Sequence, residues 1–213
     1  MTSTDSRPAG SLVLLFRNAL TRPPLPLLVV FPHPSAYSHP PKSLGMANSQ
    51  PLKFRPNMGR PESAIPPMDL SLLYRDSPED KNVSLLAYID VADPNLRRWA
   101  IIWPVGWTSS GSEVLRMLHL MQEPNHVGWT NWGPITHPLS DEDARLSRRY
   151  TVAHLSSDAR QRLERIAGHA RVQEPDGTYG TQHWVVDLLR EAVEHGILTN
   201  SQCRAATHAA WEQ

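Results

Sequence analysis

Thr181 is the residue whose type and position first suggest chemistry. It opens the stretch Tyr179-Gly180-Thr181-Gln182-His183-Trp184-Val185-Val186-Asp187-Leu188-Leu189. From Gln182 onward the apolar residues fall at helical spacing, so a hydroxyl stands at the first turn of a mostly buried helix. Free backbone N–H groups and the helix dipole favour negative charge there, and many enzymes place a nucleophile at such a point. A threonine hydroxyl is a poor nucleophile without an adjacent base. His119 is the candidate base, because an imidazole titrates in the range that acid–base work needs. His183 lies about 200° round the helix from Thr181 and is expected to pack or cap. The competing and favoured reading makes Thr181 a helix N-cap, a position where threonine is common. Ten histidines invite a metal hypothesis, but none forms a His-x-x-x-His pair or a carboxylate-flanked cluster. Neither a metal nor another cofactor is therefore expected.

Binding chemistry has its own candidates. Arg98 cannot act as a base, since its guanidinium does not deprotonate in proteins, but it can hold an anion or pair with Asp90 or Asp93. Gln182 offers amide groups beside Thr181. Seven tryptophans are present, and Trp103, Trp107, Trp129 and Trp132 crowd one region. An aromatic core explains most of them. Trp107 and Trp132, beside Gly and Ser residues, are the ones expected at a surface groove for a peptide, acyl chain or sugar.

These residues need elements to hold them. Ser84 to Val91 reads as a strand, Asp93-Pro94-Asn95 as a turn, and Arg97 to Trp103 as a second strand stopped by Pro104. Ser112 to Gln122 fits a helix face or a strand face, and strand is favoured. Val127 to Gly133 reads as the next strand, closed by Pro134. The last third is helical. Ser156-Ser157-Asp158 caps one helix ending near Gly168. A second runs from Thr181 to His195, ended by Gly196. A third opens on the capping box Thr199-Asn200-Ser201-Gln202. Strands followed by helices give an α+β domain, an antiparallel sheet packed against C-terminal helices.

Residues 1–67 hold 13 of the 20 prolines and read as a disordered Pro-rich tail, leaving one domain at 68–213 with its core at about 82–213. Met46 is a plausible alternative start. The formal net charge is +0, but it divides. Residues 1–67 carry seven Lys/Arg and two acids, giving +5, and residues 68–213 carry 14 and 19, giving −5. An acidic domain argues against nucleic acid as partner. No apolar run reaches the ~20 residues of a membrane span. Cys203 is the only cysteine, so neither a disulfide within the chain nor a cysteine-rich metal site can form, and an intracellular, cytoplasmic setting fits best.

The order of these motifs resembles the circularly permuted papain-like fold of lecithin:retinol acyltransferase-type proteins and their cell-wall peptidase relatives, and of fungal proteins of the same build. That family has a His-Trp-aliphatic strand and an Asn-Cys-(Glu/Gln)-x-aromatic-Val helix start. Its cysteine is the nucleophile and its strand histidine the base. Arg98-Trp99-Ala100-Ile101-Ile102 occupies the first motif, with Arg98 in place of the histidine. Gly180-Thr181-Gln182-His183-Trp184-Val185 occupies the second, with Thr181 in place of the cysteine. The resemblance covers about residues 82–198. It implies a catalytically silent domain that binds a protein, peptide or acyl ligand through the former active-site groove. The alternatives are an active hydrolase or acyltransferase using Thr181 with His119, and an unrelated interaction protein.

Overall fold

The computed structural model describes residues 52–124 and 126–212. Of the tail expected over residues 1–67, residues 1–51 lie outside that range. Among the described residues the fold is an antiparallel sheet packed against C-terminal helices, as the sequence of strands and then helices implies.

The first two strands form as a pair because both are dense in β-formers and separated by a turn. β1 (Lys81–Tyr88) and β2 (Trp99–Trp107) run antiparallel, from Ala87 opposite Trp99 to Ser84 opposite Ile102. Between them the Asp93 carboxylate accepts from the Asn95 N–H and starts a short 3-10 turn, Pro94–Leu96. Side chains alternate across the pleat. Leu85, Ala87, Trp99, Ile101 and Trp103 enter the main core, while Leu86, Tyr88, Ala100 and Ile102 enter a smaller one on the far face. β3 (Glu113–Leu118) pairs with β2, which settles the ambiguous stretch as strand. β6 (Ile135–Pro138) pairs with β3, and β7 (Ser147–Leu155) with the whole of β1. The order across the sheet is β6-β3-β2-β1-β7.

Pro104 does not stop β2, contrary to the sequence expectation, and the strand continues to Trp107. The Tyr88 N–H donates to the Arg98 carbonyl, so the even-numbered residues of β2 direct their backbone groups toward β1. β1 pairs only as far as Ile102, so the N–H that Pro104 lacks has no ladder partner to lose. A register shift follows between Pro104 and Gly106. The stretch from Val127 to Gly133 also departs from expectation. Only Trp129–Thr130 (β5) is strand, and it pairs with Met121–Gln122 (β4) in a separate two-stranded sheet. β7 was hidden in the sequence by its exposed Arg148, Arg149 and Thr151, charged and polar residues that suit an edge strand.

Three helices cover the main core. α2 (Ser157–His169) is capped by the Ser156 hydroxyl, which accepts from the Ala159 N–H. α3 (Thr181–Glu194) buries Trp184, Val185, Leu188 and Leu189, and packs against β2. α4 (Asn200–Trp211) opens on the expected Thr199/Gln202 capping box. On the far face the chain crosses from β6 to β7 through residues 139–146, including the short helix α1 (Asp141–Arg145). That crossing is fixed at both ends: the Leu139 N–H donates to the Glu113 carbonyl, and the Ile89 N–H to the Leu146 carbonyl.

Part of the segment read as tail belongs to the domain. Phe54 bridges Gln173, the Arg55 guanidinium donates to the Val127 and Trp129 carbonyls, and the Asn131 N–H donates to the Met58 carbonyl. Proline removes donors but leaves carbonyls and side chains free to bond. A left-handed turn, Asn57 at φ 48°, Met58 at φ 54° and Gly59 at φ 78°, aims them. A Cβ on Gly59 would lie 2.4 Å from the Trp129 carbonyl oxygen, so only glycine fits.

One polar node ties the approach to β1 onto α2. The fully buried Arg160 donates to the Asp76 carboxylate at 2.8 Å and to the Ser77, Glu79 and Leu155 carbonyls at 2.8, 2.9 and 2.7 Å. Asp76 also accepts from the Trp103 indole at 3.1 Å and pairs with Lys81 at 2.8 Å. Burial pushes the Asp76 carboxyl up, but the Arg160 and Lys81 hydrogen bonds and charges outweigh it and hold the group below the usual carboxylate range.

Two outcomes are expected from this packing. Trp184→Ala, at a side chain 1% exposed, should cost ~3–5 kcal/mol in urea unfolding. Arg160→Met should cost about 3–5 kcal/mol, because it leaves Asp76 partly buried with Lys81 as its one remaining cation. Asp76 has a lowered folded pKa, so its contribution is fully present above its unfolded value of roughly 4 and is lost as pH falls through the folded value. Asp76→Asn should therefore flatten the acid limb of the stability–pH curve.

Candidate functional site

The two motif segments meet. The Thr181 Oγ1 accepts a 2.9 Å hydrogen bond from the Trp99 backbone N–H, so the start of α3 abuts the start of β2. The alternation in β2 directs that N–H toward the β3 side, but β3 ends at Leu118 and supplies no named partner there. Thr181 fills the gap. It is 4% exposed. The helix N-cap is Gly180 and not Thr181, and it makes no side-chain capping bond. Thr181 is therefore not the cap that its sequence position suggests. It joins a helix to a strand.

Gln182 is equally committed. Its side-chain amide donates to the Pro94 carbonyl at 2.6 Å, fastening α3 to the β1–β2 connection, and the residue is 3% exposed. Beneath it Trp99 and Trp184 are buried, with Trp99 tilted against Trp211 at 5.0 Å.

Arg98 and His119 lie on the other side of the sheet. The Arg98 guanidinium sits 4.2 Å over the Tyr88 ring and 3.3 Å from the Asp90 carboxylate. Tyr88 belongs to the far-face core, where burial and the Asp143 charge push its hydroxyl up to about 12. Leu118 and Leu120 enter the main core, and Met117 the far one, which places the intervening His119 on the far face. Its ring meets His137 edge-on at 6.3 Å. His119 keeps some solvent contact as a residue, but its Nδ1 is sealed and has no partner. Burial, then the His137 and Arg98 charges, lower its pKa to about 4. Strand alternation therefore separates His119 from Thr181, and no hydrogen bond joins them.

The two tryptophans diverge. Trp132 is half-buried, donates to the Glu123 carboxylate and lies under the Arg60 guanidinium at 5.5 Å. It belongs to the local packing around β4 and β5. Trp107 is 65% exposed at the end of β2. Among the described residues no group of three or more His, Cys, Asp or Glu side chains is placed to hold a metal. A cleft of about 280 Å³ lies between α3 and α4, lined by Leu189, Arg190, Val193, Cys203, Arg204 and Thr207 among others. It does not include Thr181.

Asn131 and Arg160 were the polar residues that sequence reasoning missed. Asn131 is fully buried and donates to the Ala167 and Ala170 carbonyls at 2.8 Å, closing the end of α2. The only sequence signal was an asparagine between two tryptophans and before a Gly-Pro turn. No protein-family model, curated protein or solved structure matches the chain.

Thr181→Val keeps the shape but removes the acceptor, so it should cost about 1–3 kcal/mol, the penalty for a buried unpaired N–H. Thr181→Ser should cost less. Chemical denaturation of the two variants measures the difference. His119 has a depressed folded pKa, so its contribution is present above its unfolded value of roughly 6.5 and is lost as pH falls toward the folded value near 4. NMR titration should find its imidazole neutral down to about 5, and His119→Phe should remove that part of the pH dependence.

Proposed function

We propose that this domain is a non-catalytic binding module built on a permuted papain-like frame. The observation that carries the reading is the Thr181 hydroxyl, buried and occupied by the Trp99 N–H at the point where the resembling family keeps its nucleophile. The meeting of the Arg98-Trp99 strand with the Thr181 helix start supports the frame, since those two motifs are the ones the family brings together. Three chemical facts favour silence. The hydroxyl has no base in contact, the neighbouring motif position holds an arginine, and the candidate imidazole faces the opposite side of the sheet. Losing a positioned general base alone removes roughly 10²–10⁴-fold in rate. No helix among the described residues is long and apolar enough to cross a membrane. The single, buried Cys203 suits a reducing, intracellular setting. Thr181 and Gln182 are 4% and 3% exposed, so neither side chain is open to a partner.

Generic acyl esters and peptides test this reading. Wild type and Thr181→Ala should show the same background hydrolysis. Turnover in wild type that disappears in Thr181→Ala would overturn it and assign Thr181 a catalytic role.

A further inference from the structure

α3 and α4 are joined by residues 195–199, and the cleft of about 280 Å³ between them is at the small end of the range for ligand pockets. Its floor is apolar. Leu189 and Cys203 are buried there, and Val186 and Val193 are half-buried. Burial pushes the Cys203 thiol up, so it stays protonated at neutral pH and adds to the apolar surface. The walls are helices, whose backbone groups bond within their own turns. The Thr207 hydroxyl already donates to the Cys203 carbonyl at 2.9 Å. A hydrocarbon needs no hydrogen-bond partner on such a floor, whereas a peptide would bury amide groups unpaired.

The mouth of the cleft carries two guanidinium groups. The Cys203 Sγ donates to the Leu189 carbonyl at 3.7 Å, which joins the two helices at that level. Arg190 follows Leu189 and Arg204 follows Cys203, so both arginines line the cleft at the same height. Arg204 is exposed and forms no ion pair among the described residues. Arg190 holds Asp187 of its own helix at 2.7 Å, an exposed pair that is cheap to rearrange. Glu194 stands one turn beyond Arg190, toward the α3–α4 connection, with Asn200. Anion-binding groups therefore gather at one end of an apolar floor, and the acid lies at the other. We propose that this cleft binds an aliphatic monocarboxylate, its head held by Arg190 and Arg204 and its chain laid over Leu189, Val193 and Cys203. This goes beyond the binding-module reading. The cleft does not include Thr181, so it stands whether or not Thr181 proves catalytic.

Calorimetric titration of the full chain with octanoate, below its micellar range, tests it. Binding should saturate at one site. Acetate, octanol and octylammonium should each bind at least about tenfold more weakly, since each lacks the chain or the anionic head. Hexanoate should lose up to about fourfold per methylene removed. Arg204→Gln should weaken octanoate at least about fivefold, leave octanol unchanged and preserve the circular dichroism. Arg165→Gln, at an exposed arginine on α2 outside the cleft, should change nothing. Amide shifts on adding octanoate should fall within residues 186–194 and 200–207. No saturable binding overturns the proposal. So does octanol that binds as tightly as octanoate, an equal loss in Arg165→Gln, or shifts that map elsewhere. A short peptide ending in leucine that binds more tightly than octanoate would make the cleft a peptide site and overturn it as well.

Discussion

The Arg160 guanidinium is the interaction on which the rest of the domain depends. It is fully buried on α2, yet its bonds go to Asp76, Ser77, Glu79 and Leu155, all outside that helix. A buried cation is costly unless its donors are satisfied, so the chain before β1 must take one path for the helix to pack at all. That path sets where β1 begins. It also brings Asp76 to the Trp103 indole, which fixes the depth of β2 in the core. Arg116 repeats the device a strand away, joining Glu164 on α2 to Asp69 and Thr136. The face between sheet and helices is thus apolar at its centre and bounded by arginines that specify how the layers sit.

The separation of the Thr181 hydroxyl from the His119 imidazole follows from the same geometry. A strand sends successive side chains to opposite faces, so a one-residue difference in position decides which layer a group joins. Arg98 precedes Trp99, and His119 follows Leu118. Trp99 and Leu118 belong to the helix side, which leaves Arg98 and His119 with Tyr88 and His137 on the other. The hydroxyl and the imidazole belong to different layers of the molecule, and one sheet lies between them.

The elements with local signals were legible in the sequence. The β1–β2 pair, the Ser156 cap, the Thr199/Gln202 capping box and the apolar stripe of α3 all state their structure within a few residues. What was not legible is non-local. Pro104 looks like a strand breaker unless one knows that the pairing of β2 with β1 has already stopped at Ile102. β7 looks polar because it is an edge. Residues 54–60 look like tail because their partners are more than 70 residues away. For the candidate site the sequence named Thr181 at the start of a buried helix, and that helix start abuts β2 at Trp99. It could not reveal that a missing strand partner would claim the hydroxyl.

The crossing from β6 to β7 carries a further consequence, for how the chain assembles. β1, β2, β3 and β6 are spatial neighbours in chain order, so each can add to the last through a short closure. β7 follows β6 in the chain but lies at the opposite edge, and its residues pair with β1 residues 59 to 74 positions back. Such long-range pairings form late, because loop-closure entropy must be spent before their contacts reward it. α2 follows β7 directly, and Arg160 then reaches back to residues 76–79. Edge strand and guanidinium node therefore close the same long loop.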